Sequence, residues 1–224
     1  NPKIYWSFRN LTTGAVVAES PNAQQRMFGA SSSKVFVGGA LLDQKLGKLS
    51  ESQLQLMADM LVVSSNSAWT GLQAQIGAGD SNKGRAYIYE FTKRLGLQNT
   101  RGFQGTWGTM HGNELNAFEL ALYMQYVYRK TFPGAETLWK LMHTCRTGAS
   151  KSLKYIPTSV YSGGKTGTYD GPTEVNGQQM SVAVRNHVIV FNHKGTEYAI
   201  AVLANTGSEE SAALIAGGLY RTLP

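Results

Sequence analysis

Strand-like sequence sits at the two ends of this chain and helix-like sequence fills the middle. That order limits the folds open to it. Ile4-Tyr-Trp-Ser-Phe-Arg-Asn10, a turn at Thr12-Thr-Gly14 and Ala15-Val-Val-Ala-Glu19 read as a strand, turn and second strand. Helical periodicity runs from Ser31 to about Leu46, and from a capping-box start at Ser50-Glu-Ser-Gln53 through Leu61. It returns over Ser64 to Ile76, Gly84 to Leu95, an Asn113-capped run from Glu114 to Tyr128, and Glu136 to Cys145. The last third changes character. Val160 to Thr168, Met180 to Val184, Val188 to Phe191 and Tyr198 to Leu203 read as strands, with a hairpin turn at Asn192-His-Lys-Gly195. A final helix runs from about Ser208 to Arg221. The predicted class is α/β (α+β): one antiparallel sheet formed from both chain ends, flanked by helices, with a reduced all-helical lobe. Its 224 residues suit a single domain, 1–224, with the sheet part over about 1–30 and 155–224 and the helical lobe over about 48–145.

Composition narrows the partners. The chain is 42% apolar and only 16% charged, lean beside the usual figure of about 25%. A net charge of +7 is spread without a basic run or a recognition motif, which speaks against nucleic acid and suits an anionic substrate or a wall surface. Cys145 is the sole cysteine, so no disulfide can form within the chain. The histidines at 111, 143, 187 and 193 lack metal-ligand spacing, and neither a metal nor another cofactor is expected. No apolar run reaches the roughly 18 residues of a membrane span. The opening Asn1-Pro-Lys-Ile-Tyr-Trp6 has no signal-peptide h-region.

Three short motifs carry chemistry: Ser31-Ser-Ser-Lys34, Ser64-Ser-Asn66 and Lys165-Thr-Gly-Thr168. Each has a near-match elsewhere, in Ser162-Gly-Gly-Lys165, Ser20-Pro-Asn22 and Arg146-Thr-Gly148. Context separates them. Ser31 opens an apolar helical run, whereas Ser162 precedes an extended stretch in which i and i+3 face opposite ways. Ser20-Pro-Asn22 is a turn, and Gly148 reads as a helix stop after Glu136 to Cys145.

On a helix, Lys34 shares a face with Ser31 and can take its proton, provided burial or a second cation such as Lys165 lowers the amine's pKa. The helix start adds positive potential and a backbone N–H for an oxyanion. Ser64 and Asn66 supply a hydroxyl relay and an amide. At Gly167 a side chain would block close approach of a substrate to the strand. Singly, these residues also read as helix caps and a solvated strand-end lysine; jointly they do not.

The set resembles the serine penicillin-recognising family, most closely the class A β-lactamases and their D-Ala-D-Ala peptidase relatives. The likeness spans nearly the whole chain. It implies Ser31 as acylated nucleophile, Lys34 as general base, and Ser64 with Asn66 as relay and substrate contact. It further implies Lys165, Thr166, Gly167 and Thr168 as the substrate-binding strand, with the Ser31 and Thr168 N–H groups as oxyanion hole. The implied partners are peptidoglycan peptides or β-lactams, and the implied location is periplasmic or extracellular, a signal or anchor having been removed.

Two departures bear on the branch. The class A pattern carries a deacylating glutamate on a loop after the second motif, yet no Asp or Glu occurs from Phe91 through Gly112. Glu114-Leu-Asn116 looks similar but precedes a long apolar run, which points to helix capping, and Gln104 is a neutral candidate for holding water. The stretch from Ser31 to Ser64 is also short for the pattern, a lower cleft wall that suits a polymeric substrate, with Tyr169 to Gly177 as a partial rim. Three readings stand: a D-alanyl-D-alanine peptidase-like hydrolase with slow β-lactam release, a β-lactamase, and a sensor that acylates without turnover. An esterase or amidase on another small acyl donor stays open beside them.

Overall fold

The computed structural model describes residues 3–101, 113–148, 151 and 153–224. Gln104 and most of the stretch from Asn99 to Gly112 lie outside the described residues. Five strands form the main sheet in the order β2-β1-β7-β6-β5, every neighbouring pair antiparallel. The strands are β1 (Lys3–Asn10), β2 (Val16–Glu19), β5 (Ser162–Val175), β6 (Gln178–His193) and β7 (Thr196–Asn205). A small pair, β3 (Met27–Phe28) and β4 (Glu114–Leu115), stands apart.

The helices are α1 (Lys34–Gln44), α2 (Glu51–Val62), α3 (Asn66–Ile76), α4 (Ser81–Arg94), α5 (Ala117–Tyr128), α6 (Ala135–His143) and α7 (Glu209–Tyr220). Strand alternation explains the layering. On β7, Ala199, Ala201 and Leu203 join the core shared with α1 to α6, while Ile200, Val202 and Ala204 join a second core with Ala212 and Ala216 of α7. A strand covered on both faces reads as one apolar run, and Tyr198 to Leu203 does.

Helix α1 is apolar all round and buried from Lys34 to Leu42, as an interior helix must be. Tyr123 of α5 donates to the Val35 carbonyl at 3.1 Å, fixing α5 against its first turn. The Ser50 capping box forms as the sequence predicts, and Asp80 and Ser65 cap α4 and α3.

Several boundaries differ from expectation: β5 continues to Val175, taking in most of the Tyr169 to Gly177 rim, and α4 opens at Ser81 and not Gly84. Asn116, not Asn113, caps α5, because Glu114 and Leu115 pair with β3 and the helix starts only at Ala117. Met180 to Val184 and Val188 to Phe191 are one strand; its polar middle is no break, because Arg185 pairs with Asp170 and Asn186 with the Phe28 and Gly29 carbonyls. Finally, Ser31 sits in a 3-10 turn, Ala30–Ser33, with the α-helix beginning at Lys34.

Candidate active site

The turn carrying Ser31 is clamped from two sides. Asn113 Nδ2 donates to the Ala30 carbonyl at 3.0 Å, and Gly29 N donates to the Asn113 carbonyl at 2.8 Å. From the sheet, Asn186 Nδ2 donates to the carbonyls of Phe28 at 2.8 Å and Gly29 at 3.2 Å, while Ala204 N donates to Asn186 Oδ1. These bonds hold Ala30 at a φ of 46°, a left-handed setting that costs a residue with a Cβ about 1–3 kcal/mol. In a 3-10 turn i and i+3 eclipse, so Lys34 still lies on the side of Ser31.

Ser64, at a φ of 62°, is the second left-handed residue of the site. The neighbouring Ser65 takes the capping role, its Oγ accepting from Ala68 N at 3.1 Å, which leaves the Ser64 hydroxyl for other work. Two lysines converge on it. Lys34 Nζ lies 3.2 Å from Ser64 Oγ and donates to Ser64 O and Asn66 Oδ1, each at 2.7 Å. Lys165 Nζ donates to Ser64 Oγ at 2.9 Å and to the Thr166 carbonyl at 2.8 Å. Both lysines are buried.

Burial first, and the Lys165 charge second, pull the Lys34 amine down to about 6. Burial lowers Lys165 to about 8, Cys145 opposing and Lys151 adding to the effect. At neutral pH one lysine is mostly a free amine and its neighbour mostly an ammonium. A neutral amine has two N–H groups and a lone pair. With the N–H groups on Ser64 O and Asn66 Oδ1, the lone pair is left for a hydroxyl proton.

The strand bearing the third motif touches the Ser31 turn at Gly167. A Cβ there would lie 2.6 Å from Ser32 Oγ, 2.7 Å from Ser32 N and 2.8 Å from the Gly29 carbonyl. The glycine is therefore required by the protein's own backbone, where the sequence argument had named the substrate's approach. Ser31 and Thr168 are each one residue from this contact. Thr166 and Thr168 share the strand face opposite Lys165. Thr166 is buried with its hydroxyl 2.6 Å from Thr147 Oγ1, and Thr168 is exposed, its hydroxyl 3.4 Å from Lys151 Nζ. His187, paired with Thr166 in register, is buried and held near 3 by burial and by Lys165 and Lys151.

Sequence reasoning missed Trp69, Asn186 and Thr147. The Trp69 ring centroid is 4.9 Å from Lys34 Nζ, and its spacing of three from Asn66 on α3 was the available signal. Glu114 is no cap: its buried carboxylate accepts from Arg26 at 2.9 Å, from Arg101 Nε at 3.1 Å and from Asn176 N at 2.8 Å. Glu119 is likewise occupied by Asn99 and Thr100. Among the described residues no His, Cys, Asp or Glu cluster could hold a metal, and no helix is long and apolar enough to cross a membrane.

A serine, two lysines of opposed protonation and a shared hydroxyl, set between an antiparallel sheet and helices, define a serine hydrolase site. The chain belongs to the beta-lactamase enzyme family, whose model matches residues 45–219. In fold it is similar to the crystal structure of TLA-3 extended-spectrum beta-lactamase, with a TM-score of 0.81 over 98% of this chain and 92% of that one, at 15% identity. No curated protein sequence matches it.

Proposed function

We propose that the chain is a serine acyl-enzyme hydrolase that opens β-lactams on Ser31 and releases the product slowly. The observation that carries this reading is the Ser64 hydroxyl held between Lys34 and Lys165 Nζ, at 3.2 and 2.9 Å. Ser31 Oγ attacks the carbonyl carbon and its proton passes to the Lys34 amine. The oxyanion takes N–H groups of Ser31 and Thr168. As the C–N bond breaks, the nitrogen takes the Ser64 proton, which Lys34 replaces. Thr166 and Thr168 hold the substrate carboxylate, Lys165 adds its positive charge from the Ser64 side of the strand, and Asn66 holds the amide carbonyl.

Slow release follows from the missing base. Phe91 to Gly112 contains no carboxylate, and Glu114 and Glu119 are tied to Arg26, Arg101, Asn99 and Thr100. The same observation favours D-Ala-D-Ala wall peptides as the natural acyl donor, where attack on a β-lactam is a dead end. A periplasmic or extracellular site of action goes with that donor. Glu114→Gln is expected to cost about 2 kcal/mol in urea unfolding, by weakening charged hydrogen bonds to partly exposed arginines. Acyl release should be unchanged in this variant; a loss would make Glu114 the water-activating base.

The pH dependence has a definite sign. Acylation rises as Lys34 loses its proton through about 6 and falls as Lys165 loses its own through about 8. Second-order acylation rates across pH 5 to 9.5 should trace that bell; a rate that is flat below about 7 would remove Lys34 as base.

The reading is tested by following intact mass during incubation with excess benzylpenicillin, with Ser31→Ala as control. A lasting adduct on the wild type alone is the expected result. An adduct that disappears while the drug is consumed many-fold would overturn slow release, and no adduct would overturn acylation.

A further inference from the structure

The near-match Arg146-Thr-Gly148, set aside in the sequence as a helix stop, packs against the motif it imitates. Helix α6 ends at His143, and the segment beyond it runs between the Ser64 loop and β5. Arg146 N donates to the Val62 carbonyl at 3.0 Å, two residues before Ser64. A Cβ at Gly148 would lie 2.8 Å from the ring of His187, which pairs with Thr166. Between these anchors, Thr147 Oγ1 sits 2.6 Å from Thr166 Oγ1 and 3.2 Å from Cys145 Sγ.

We propose that Thr147 is a positioning residue that aims the Thr166 hydroxyl at the carboxylate of a bound acyl donor. The inference rests on the reading of Thr166 as a carboxylate contact and deepens it. Each hydroxyl has one proton to donate. A substrate carboxylate only accepts, so Thr166 must spend its proton there. The 2.6 Å contact is then filled by Thr147 O–H donating to Thr166 Oγ1. Thr147 Oγ1 is left to accept from the Cys145 thiol. The three groups thus point one way, from Cys145 through Thr147 and Thr166 to the carboxylate, and each donor strengthens the next. Without the Thr147 hydroxyl, Thr166 loses the partner that fixes its rotamer and its proton's direction.

The test compares second-order acylation rates for benzylpenicillin and its carboxyl methyl ester in wild type, Thr147→Val and Thr147→Ser. Valine keeps the shape and removes the hydroxyl; serine keeps the hydroxyl. Thr147→Val should lose roughly 10- to 100-fold on the acid, the scale of a hydrogen bond to a charged group. On the ester it should stay within about twofold of wild type, and serine should restore most of the acid rate. Equal losses on both substrates, or no loss on the acid, would overturn the inference while leaving the carboxylate role of Thr166 intact. A wild type that does not prefer acid to ester would overturn that role, and the inference with it. If the valine variant does not fold, Thr147→Ala is read by the same comparison.

Discussion

Lys34→Met is expected to slow acylation of Ser31 by roughly 10²- to 10⁴-fold, the range for losing a general base. The side chain is wholly buried, and methionine fills a similar volume, so packing is largely kept. Losing the amine leaves Ser64 O and Asn66 Oδ1 without the donor each now has at 2.7 Å. That costs about 1–3 kcal/mol per unsatisfied acceptor. Removing a lysine that burial and Lys165 already disfavour as an ammonium offsets part of this. The variant should therefore fold, with reduced stability and little activity. Its residual acylation should also lack the fall below pH about 6 expected of the wild type, since the group responsible is gone. Stopped-flow acylation over pH checks both points. A rate within a few-fold of wild type would assign the base elsewhere.

Gly167→Ala is expected to damage stability and chemistry together. The new Cβ would meet Ser32 N at 2.7 Å and the Gly29 carbonyl at 2.8 Å, and backbone atoms clamped by Asn113 and Asn186 cannot move aside cheaply. Overpacking of this kind costs about 1–3 kcal/mol. The strand must back away from the Ser31 turn, which separates the two N–H groups assigned to the oxyanion. Losing one such donor costs roughly 10²- to 10³-fold in rate. Thermal melts and acylation rates of the same preparation should fall in parallel. An alanine variant with wild-type acylation would mean that the turn and strand do not jointly build the oxyanion site.

Much of this arrangement was legible in the sequence because it is written in periodicity and spacing. The both-ends sheet follows from where alternation and apolar runs occur, and Lys34 follows Ser31 by three in either kind of helix. Gly167 was legible as a close approach, and the structure adds that Gly29 and Ser32 come close there as well. What was hidden depends on contacts between distant segments. Asn186 reaches Phe28 and Gly29 across more than 150 residues, and no local pattern marks it. The left-handed settings of Ala30 and Ser64 fall on residues that carry no glycine signal. Glu114 misled because a carboxylate before a helix normally serves the helix, whereas here strand pairing with Phe28 delivers it to Arg26 and Arg101. Thr147 was discarded for being a poor copy of a motif, although its neighbourhood, not its pattern, gives it meaning.

The most direct test of the account is the position of the penicilloyl group. Tryptic digestion after brief exposure to benzylpenicillin should release Met27 to Lys34 carrying the added mass, with fragmentation placing it on Ser31 and not on Ser32 or Ser33. An adduct on Ser64, on any other serine, or on no peptide at all would contradict the account.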